Sequence, residues 1–132
     1  MSPTARTLAE CRRRGWVAQV VEHFNVYTKR RIDLFGCIDI VALVPGSNPV
    51  AGSTANTAVW SPGYTLGIQA TANNGGAHAA RRHKIHDEPR MAEWLRCGNR
   101  LAIWSWAKQG ARGARKLWTL REDEITLQDL KS

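Results

Sequence analysis

An aspartate in the middle of an apolar segment is chemically conspicuous, and this chain has one. In Cys-Ile-Asp-Ile-Val-Ala-Leu-Val (37–44), Asp39 is the single charged residue. A carboxylate buried without a partner costs several kcal/mol, so a residue kept there must be paired, protonated or bound to a cation. Side chains alternate along a strand. That alternation predicts Asp39, Val41 and Leu43 on one face and Ile38, Ile40 and Ala42 on the other. In Tyr64–Ala72 (YTLGIQATA) the same alternation sets Gln69 and Thr71 opposite Leu66, Ile68 and Ala70. If the two segments pair, Asp39, Gln69 and Thr71 meet at one point, and Glu22 in Val-Val-Glu-His-Phe can join them. Asp33 is a further carboxylate candidate.

The elements that must position these residues read as follows. Thr4–Arg14 is a short helix stopped at Gly15, and Trp16–Phe24 is a strand. Asn25–Asp33, which carries Arg30 and Arg31, is a polar, basic turn back into the sheet. Cys37–Val44 is the second strand. An uncharged Gly/Ser/Pro/Asn/Thr-rich loop at about 46–63 holds Trp60, whose ring could stack on a base or serve as a contact. Tyr64–Ala72 is the third strand. Ala77–Ile85 and Glu88–Cys97 are helical, with Met91, Trp94 and Leu95 at helical spacing. Leu101–Ala107 is a fourth strand and Leu117–Arg121 a fifth, hairpin-paired with it across the basic turn Gln109–Lys116. A helical crossover joins parallel strands, so the sheet is mixed. The expected class is α/β, in one domain over 1–132.

Charge points to a polyanion. The chain carries +8 with a pI near 10.1. Between Arg81 and Arg121 there are eleven Lys/Arg against three acids, whereas the segment from Glu122 onward has four acids and one Lys. Clustered cations of this kind suit nucleic acid. The expected contacts are Arg81, Arg82 and Lys84 on the second helix, Arg30 and Arg31 in the early turn, and Trp60 in the loop. His78, His83 and His86 read as part of the same basic helix rather than as a zinc site, since no cysteine is in register. The three cysteines, Cys11, Cys37 and Cys97, form no C-x-x-C and no disulfide framework. No apolar run reaches the ~18 residues of a membrane span and no secretory signal opens the chain, so the expected location is cytoplasmic or nucleoid-associated. Neither G-x-S-x-G nor a Gly-rich phosphate loop occurs.

The helix–three strands–helix–strand order, with Ile-Asp-Ile-Val-Ala-Leu on the second strand and Ile-Gln-Ala-Thr on the third, resembles the PD-(D/E)XK nuclease superfamily of restriction endonucleases, Holliday-junction-resolvase-like enzymes and phage or repair nucleases. The resemblance implies a restriction-endonuclease-like αβββαβ core, a mixed central sheet flanked by helices, and Mg²⁺-dependent hydrolysis of DNA phosphodiesters, with DNA favoured over RNA. It assigns Asp39 as the metal-ligand acid. Gln69 then stands where the family has an acid and Thr71 where it has a lysine. Glu22 or Asp33 would supply the second carboxylate, Thr71 would position water or phosphate, and Arg81, Arg82 or Lys84 would supply the cation. Relatives of the resolvase type often hold a further metal-binding Glu in the first helix, here Glu10, although a helix-surface Glu beside Arg12–Arg14 is more often just a solvated side chain. A nuclease of this size cutting both strands implies a homodimer, because each core has one site. Two alternatives stay open. One is a catalytically inactive nucleic-acid-binding module on the same fold, favoured by the missing acid and lysine. The other is a basic oligomeric scaffold protein using the loop and Trp60.

Overall fold

A computed structural model describes residues 1–46 and 62–131. Helix α1 (Pro3–Arg13) is capped by Ser2, whose hydroxyl accepts from the Ala5 N–H at 3.1 Å, with proline at its first position. It ends at Gly15, whose φ of +81° suits glycine. Strand β1 (Val17–Val20) follows, then a small hairpin of β2 (His23–Asn25) and β3 (Arg30–Ile32). The expected single strand Trp16–Phe24 is therefore two, broken at Val21–Glu22, and the expected turn at Asn25–Asp33 contains a strand of its own.

Strand β4 (Ile40–Val44) lies antiparallel between β1 and β5 (Tyr64–Ala72). Helices α2 (Ala77–Asp87) and α3 (Pro89–Arg96) then cross over to β6 (Arg100–Gln109), which runs parallel to β5. Strand β7 (Leu117–Ile125) returns antiparallel along β6, and the short α4 (Leu127–Leu130) follows. The result is a mixed five-stranded sheet in the order β1-β4-β5-β6-β7. Strand β7 thus runs on through Glu122–Ile125, beyond the expected end at Arg121.

The two sheet faces carry separate cores. On one, Leu8 and Cys11 of α1 pack with Trp16, Ile40, Ala42, Leu66, Ile68, Ala102 and Trp104. The Trp16 and Trp104 rings lie 5.9 Å apart, and Trp106 Nε1 donates to Thr7 Oγ1 at 3.0 Å. On the other face, Ile85, Met91, Trp94 and Leu95 of α2 and α3 pack with Ile38, Leu101, Ile103 and Ile125. Each large side chain so buried contributes about 1.5–3 kcal/mol. Gly67 lets α3 approach the sheet, since a Cβ there would stand 2.8 Å from Ile38 Cδ1 and 3.0 Å from Trp94 Cζ2. Ile38 lies in the core with Val41, not with Ile40 and Ala42 as strict alternation predicts. The chain bends at Asp39, and the strand proper starts one residue later. Among the described residues, no helix is long and apolar enough to cross a membrane.

Candidate functional site

The bend at Asp39 decides the geometry. Its backbone is held on both sides: its N–H donates to Ile68 O at 3.0 Å, and its carbonyl accepts from Val21 N–H at 2.8 Å. The residue is fixed between β1 and β5 with its side chain turned toward the end of β5. There Oδ2 accepts two hydrogen bonds, from Gln69 Nε2 at 2.8 Å and from the Ala70 N–H at 2.9 Å. Glu22 sits where β1 has just ended, and Asp33 where β3 has just ended. The carboxylate oxygens of Glu22, Asp33 and Asp39 lie within 4.8 Å of one another. Asp39 is 4% exposed.

These residues line a cleft of about 440 Å³ together with Pro3 and Thr4 of α1, Thr71, Arg31, Arg81 and Lys84. Lys84 Nζ stands 3.3 Å from Asp33 Oδ2, and Arg31 pairs with Glu22 at 2.8 Å. Gln69 lines this cleft and is 1% exposed, and among the described residues its buried Oε1 accepts no hydrogen bond. A buried amide oxygen without a donor costs about 1–3 kcal/mol. The Asp39 carboxyl is pushed up to about 8, first by burial, then by a hydrogen bond to Asp33 and the Asp33 charge, with Glu22 adding repulsion; only the Ala70 N–H pulls the other way.

The fit to a divalent cation can be judged on these residues alone. Three carboxylates and an unpartnered amide oxygen are the hard donors that Mg²⁺ and Mn²⁺ take, and the cleft has room for coordinated water. Asp39, Glu22 and Asp33 would hold the ion with Gln69 Oε1.

The other expected residues fall on both sides of this line. Thr71, Arg31, Arg81 and Lys84 line the cleft. Arg82 does not. The rotation of about 100° from Arg81 to the next residue sends it to the β7 side, where it pairs with Asp123 at 2.7 Å and reaches Asp129 at 3.7 Å. Arg30 is exposed on β3. Trp60 and most of the 46–63 loop lie outside the described residues. Glu10 is far from the cleft. Bonds from Arg13 and Arg14 hold it, and they lower its carboxyl to about 2. Cys37 is buried, its thiol pushed up to about 11 chiefly by burial, which removes it as a nucleophile. His23 is exposed at the start of β2.

Residues of the second helix hold a surprise for the sequence reading. His78 is buried instead of facing outward with His83 and His86. Its Nδ1 contacts Ser105 Oγ and its Nε2 meets Asp123 Oδ2 at 2.7 Å. The order serine–histidine–aspartate is that of a hydrolase triad, but Ser105 is fully buried under α2 and no substrate can reach it. The chain of bonds ties α2 to β6 and β7. No motif marked it, because the three residues meet only through the sheet register that sets Ser105 beside Arg121 and Ile103 beside Asp123. His83 and His86 border a separate hollow of about 250 Å³ with Arg82, Ile125, Asp129 and Leu130. No protein family, curated protein or solved structure matches the chain.

Proposed function

We propose that the chain is a Mg²⁺- or Mn²⁺-dependent endonuclease-like protein that hydrolyses DNA phosphodiesters, on a restriction-endonuclease-like core. The observation that carries this reading is the meeting of Glu22, Asp33 and Asp39 within 4.8 Å, beside a buried Gln69 oxygen that nothing else satisfies. The element order α1, β1, β4, β5, α2, β6 supports the same core.

When bound, the cation would lower the pKa of a coordinated water and offset charge developing on phosphate. The chain's own residues divide the remaining work. Asp39, Glu22 and Asp33 would hold the ion. Gln69 would offer its oxygen while its amide N–H₂ donates to Asp39. Lys84 reaches the carboxylates from α2 and stands where Thr71 leaves a cation missing; its ammonium can hold an attacking water or a phosphate oxygen. Arg81 lines the same cleft, has no acid partner among the described residues, and offers a guanidinium to phosphate. Thr71 borders the scissile position.

One observation favours a second reading, an inactive nucleic-acid-binding module. Asp39 is hydrogen-bonded to the backbone at Ala70, as a purely structural aspartate would be. The room beside it argues the other way. Titration of Mg²⁺ and Mn²⁺ into wild type and Asp39→Ala, with plasmid and branched-oligonucleotide cleavage in parallel, separates the two. Loss of both metal binding and cleavage in the variant supports the nuclease. Cleavage untouched in Asp39→Ala would sink the assignment, and DNA binding with no metal uptake would leave the module.

A further inference from the structure

The hairpin joining β6 to β7 is longer than the sheet it belongs to. Strand β5 stops pairing with β6 at Ala72↔Trp106, yet β6 and β7 go on pairing through Ala107↔Thr119, Lys108↔Trp118 and Gln109↔Leu117. Residues 107–119 thus project as a two-stranded ribbon, and all of them beyond Ala107 are exposed. The ribbon's turn reads Lys-Gln-Gly-Ala-Arg-Gly-Ala-Arg-Lys (108–116), with four cations and no acid.

About half of the cations outside the ribbon are neutralised by acids. Arg13, Arg14, Arg31, Arg82, Lys84, Arg90, Arg96 and Arg100 all sit in ion pairs. Among the described residues, Lys108, Arg112, Arg115 and Lys116 pair with no acid. The ribbon's base is anchored by Arg6 of α1, whose guanidinium lies 3.6 Å from the Trp118 ring centre, and Trp118 remains 44% exposed.

Direction completes the argument. The cleft opens at the end of β1, the start of β4 and the end of β5. Because β6 is parallel to β5, the ribbon leaves the sheet at that same edge. The β2–β3 hairpin leaves it there too, on the β1 side, and carries Lys29, Arg30 and an exposed Tyr27. Two basic hairpins therefore flank the carboxylate cleft, about four strand spacings or ~19 Å apart. A duplex lying along that edge presents roughly eleven phosphate charges over this distance.

We propose that the β6–β7 ribbon is a DNA-backbone grip that holds duplex DNA across the cleft, with the β2–β3 hairpin as its opposite jaw. It rests on the cleft being a nucleic-acid site, and it assigns that site a duplex substrate held by phosphate contacts rather than by base reading. The cleft sets three carboxylates against Arg31, Arg81 and Lys84, and the ribbon adds cations that no acid neutralises to draw a backbone to it.

The test is fluorescence anisotropy of a labelled DNA duplex against a salt series, in chelator. Arg112→Gln/Arg115→Gln is compared with Arg12→Gln/Arg96→Gln, a control pair at the opposite edge. The ribbon pair should lower the slope of log affinity against log salt by about two and weaken binding roughly 60-fold at 0.1 M salt. The control pair should change neither, and Arg112→Lys/Arg115→Lys should restore wild-type binding. Thermal unfolding monitors folding of each. Equal binding by ribbon and control variants, or wild-type affinity only for duplex RNA or anionic vesicles, overturns the grip. The Asp39→Ala cleavage assay is read separately. Ribbon-dependent binding without any cleavage keeps the grip and discards the nuclease, whereas Asp39-dependent cleavage with no ribbon effect does the reverse.

Discussion

Asp39→Asn makes the protonation of Asp39 measurable. The variant keeps the shape of the side chain. Its carbonyl oxygen can accept from Gln69 and Ala70 as Oδ2 does, and its amide can donate to Asp33 where the acid now repels it. The Asp39 carboxyl rises from its ordinary 3.8 to about 8 in the folded protein. A raised carboxyl favours the protonated native state, so its contribution to stability is complete below the unfolded pKa and is lost as pH climbs toward 8. At 1.36 kcal/mol per unit, holding the site together at neutral pH costs wild type about 4 kcal/mol. Asparagine does not titrate and escapes this cost. The stability advantage of the variant over wild type should therefore grow by roughly 3–4 kcal/mol between about pH 5 and about pH 8. Urea unfolding in chelator at three pH values measures it. Excess Mg²⁺ should restore wild type at the alkaline end and leave the variant unmoved. A difference that stays constant with pH would show that Asp39 ionises freely and that the carboxylates are not forced together.

Three further outcomes follow from the packing. Thr7→Val should cost about 1–3 kcal/mol in chemical denaturation, because the buried Trp106 N–H loses its acceptor while volume is preserved. Gly67→Ala should cost about 1–3 kcal/mol through overlap with Ile38 and Trp94, and Trp94 fluorescence should report the displacement of α3. Lys84→Met should leave the unfolding midpoint within about 0.5 kcal/mol of wild type, since its ion pair is half-exposed, while lowering any metal-dependent cleavage at least tenfold; an unaffected cleavage rate would remove Lys84 from the site.

The sequence was most legible where local pattern and tertiary demand coincide. Tyr64–Ala72 reads as a strand from end to end because it is central and packed on both faces, and the fold leaves its bounds unchanged. Asp39 was visible because a charge in an apolar run needs a reason. The break after Val20 was not visible, because Val-Val-Glu-His-Phe has full strand propensity and stops only because Glu22 turns into the cleft. The bend at Asp39 likewise flips Ile38 to the α3 face. The acidic half of β7 continues the strand past the expected end at Arg121. It is a strand because Glu122, Asp123 and Glu124 each find a cation, Arg14, Arg82 and Arg100, from elements far away in the chain. Those partnerships cannot be inferred from any window of local sequence.

The bonds between α1 and the last strands also constrain the order of assembly. Thr7 meets Trp106 across 99 residues, and Arg14 meets Glu122 across 108. Helix α1 can make these contacts only once β6 and β7 exist. During synthesis its apolar face, with Leu8 and Cys11, must wait while β5, the crossover and β6 are produced. Contacts of such range slow folding, because chain ends must be brought together before the contact repays the lost entropy. Closure of α1 over the sheet is thus the expected late event, and a ribosome-stalled chain ending before β6 should expose that helix to proteases.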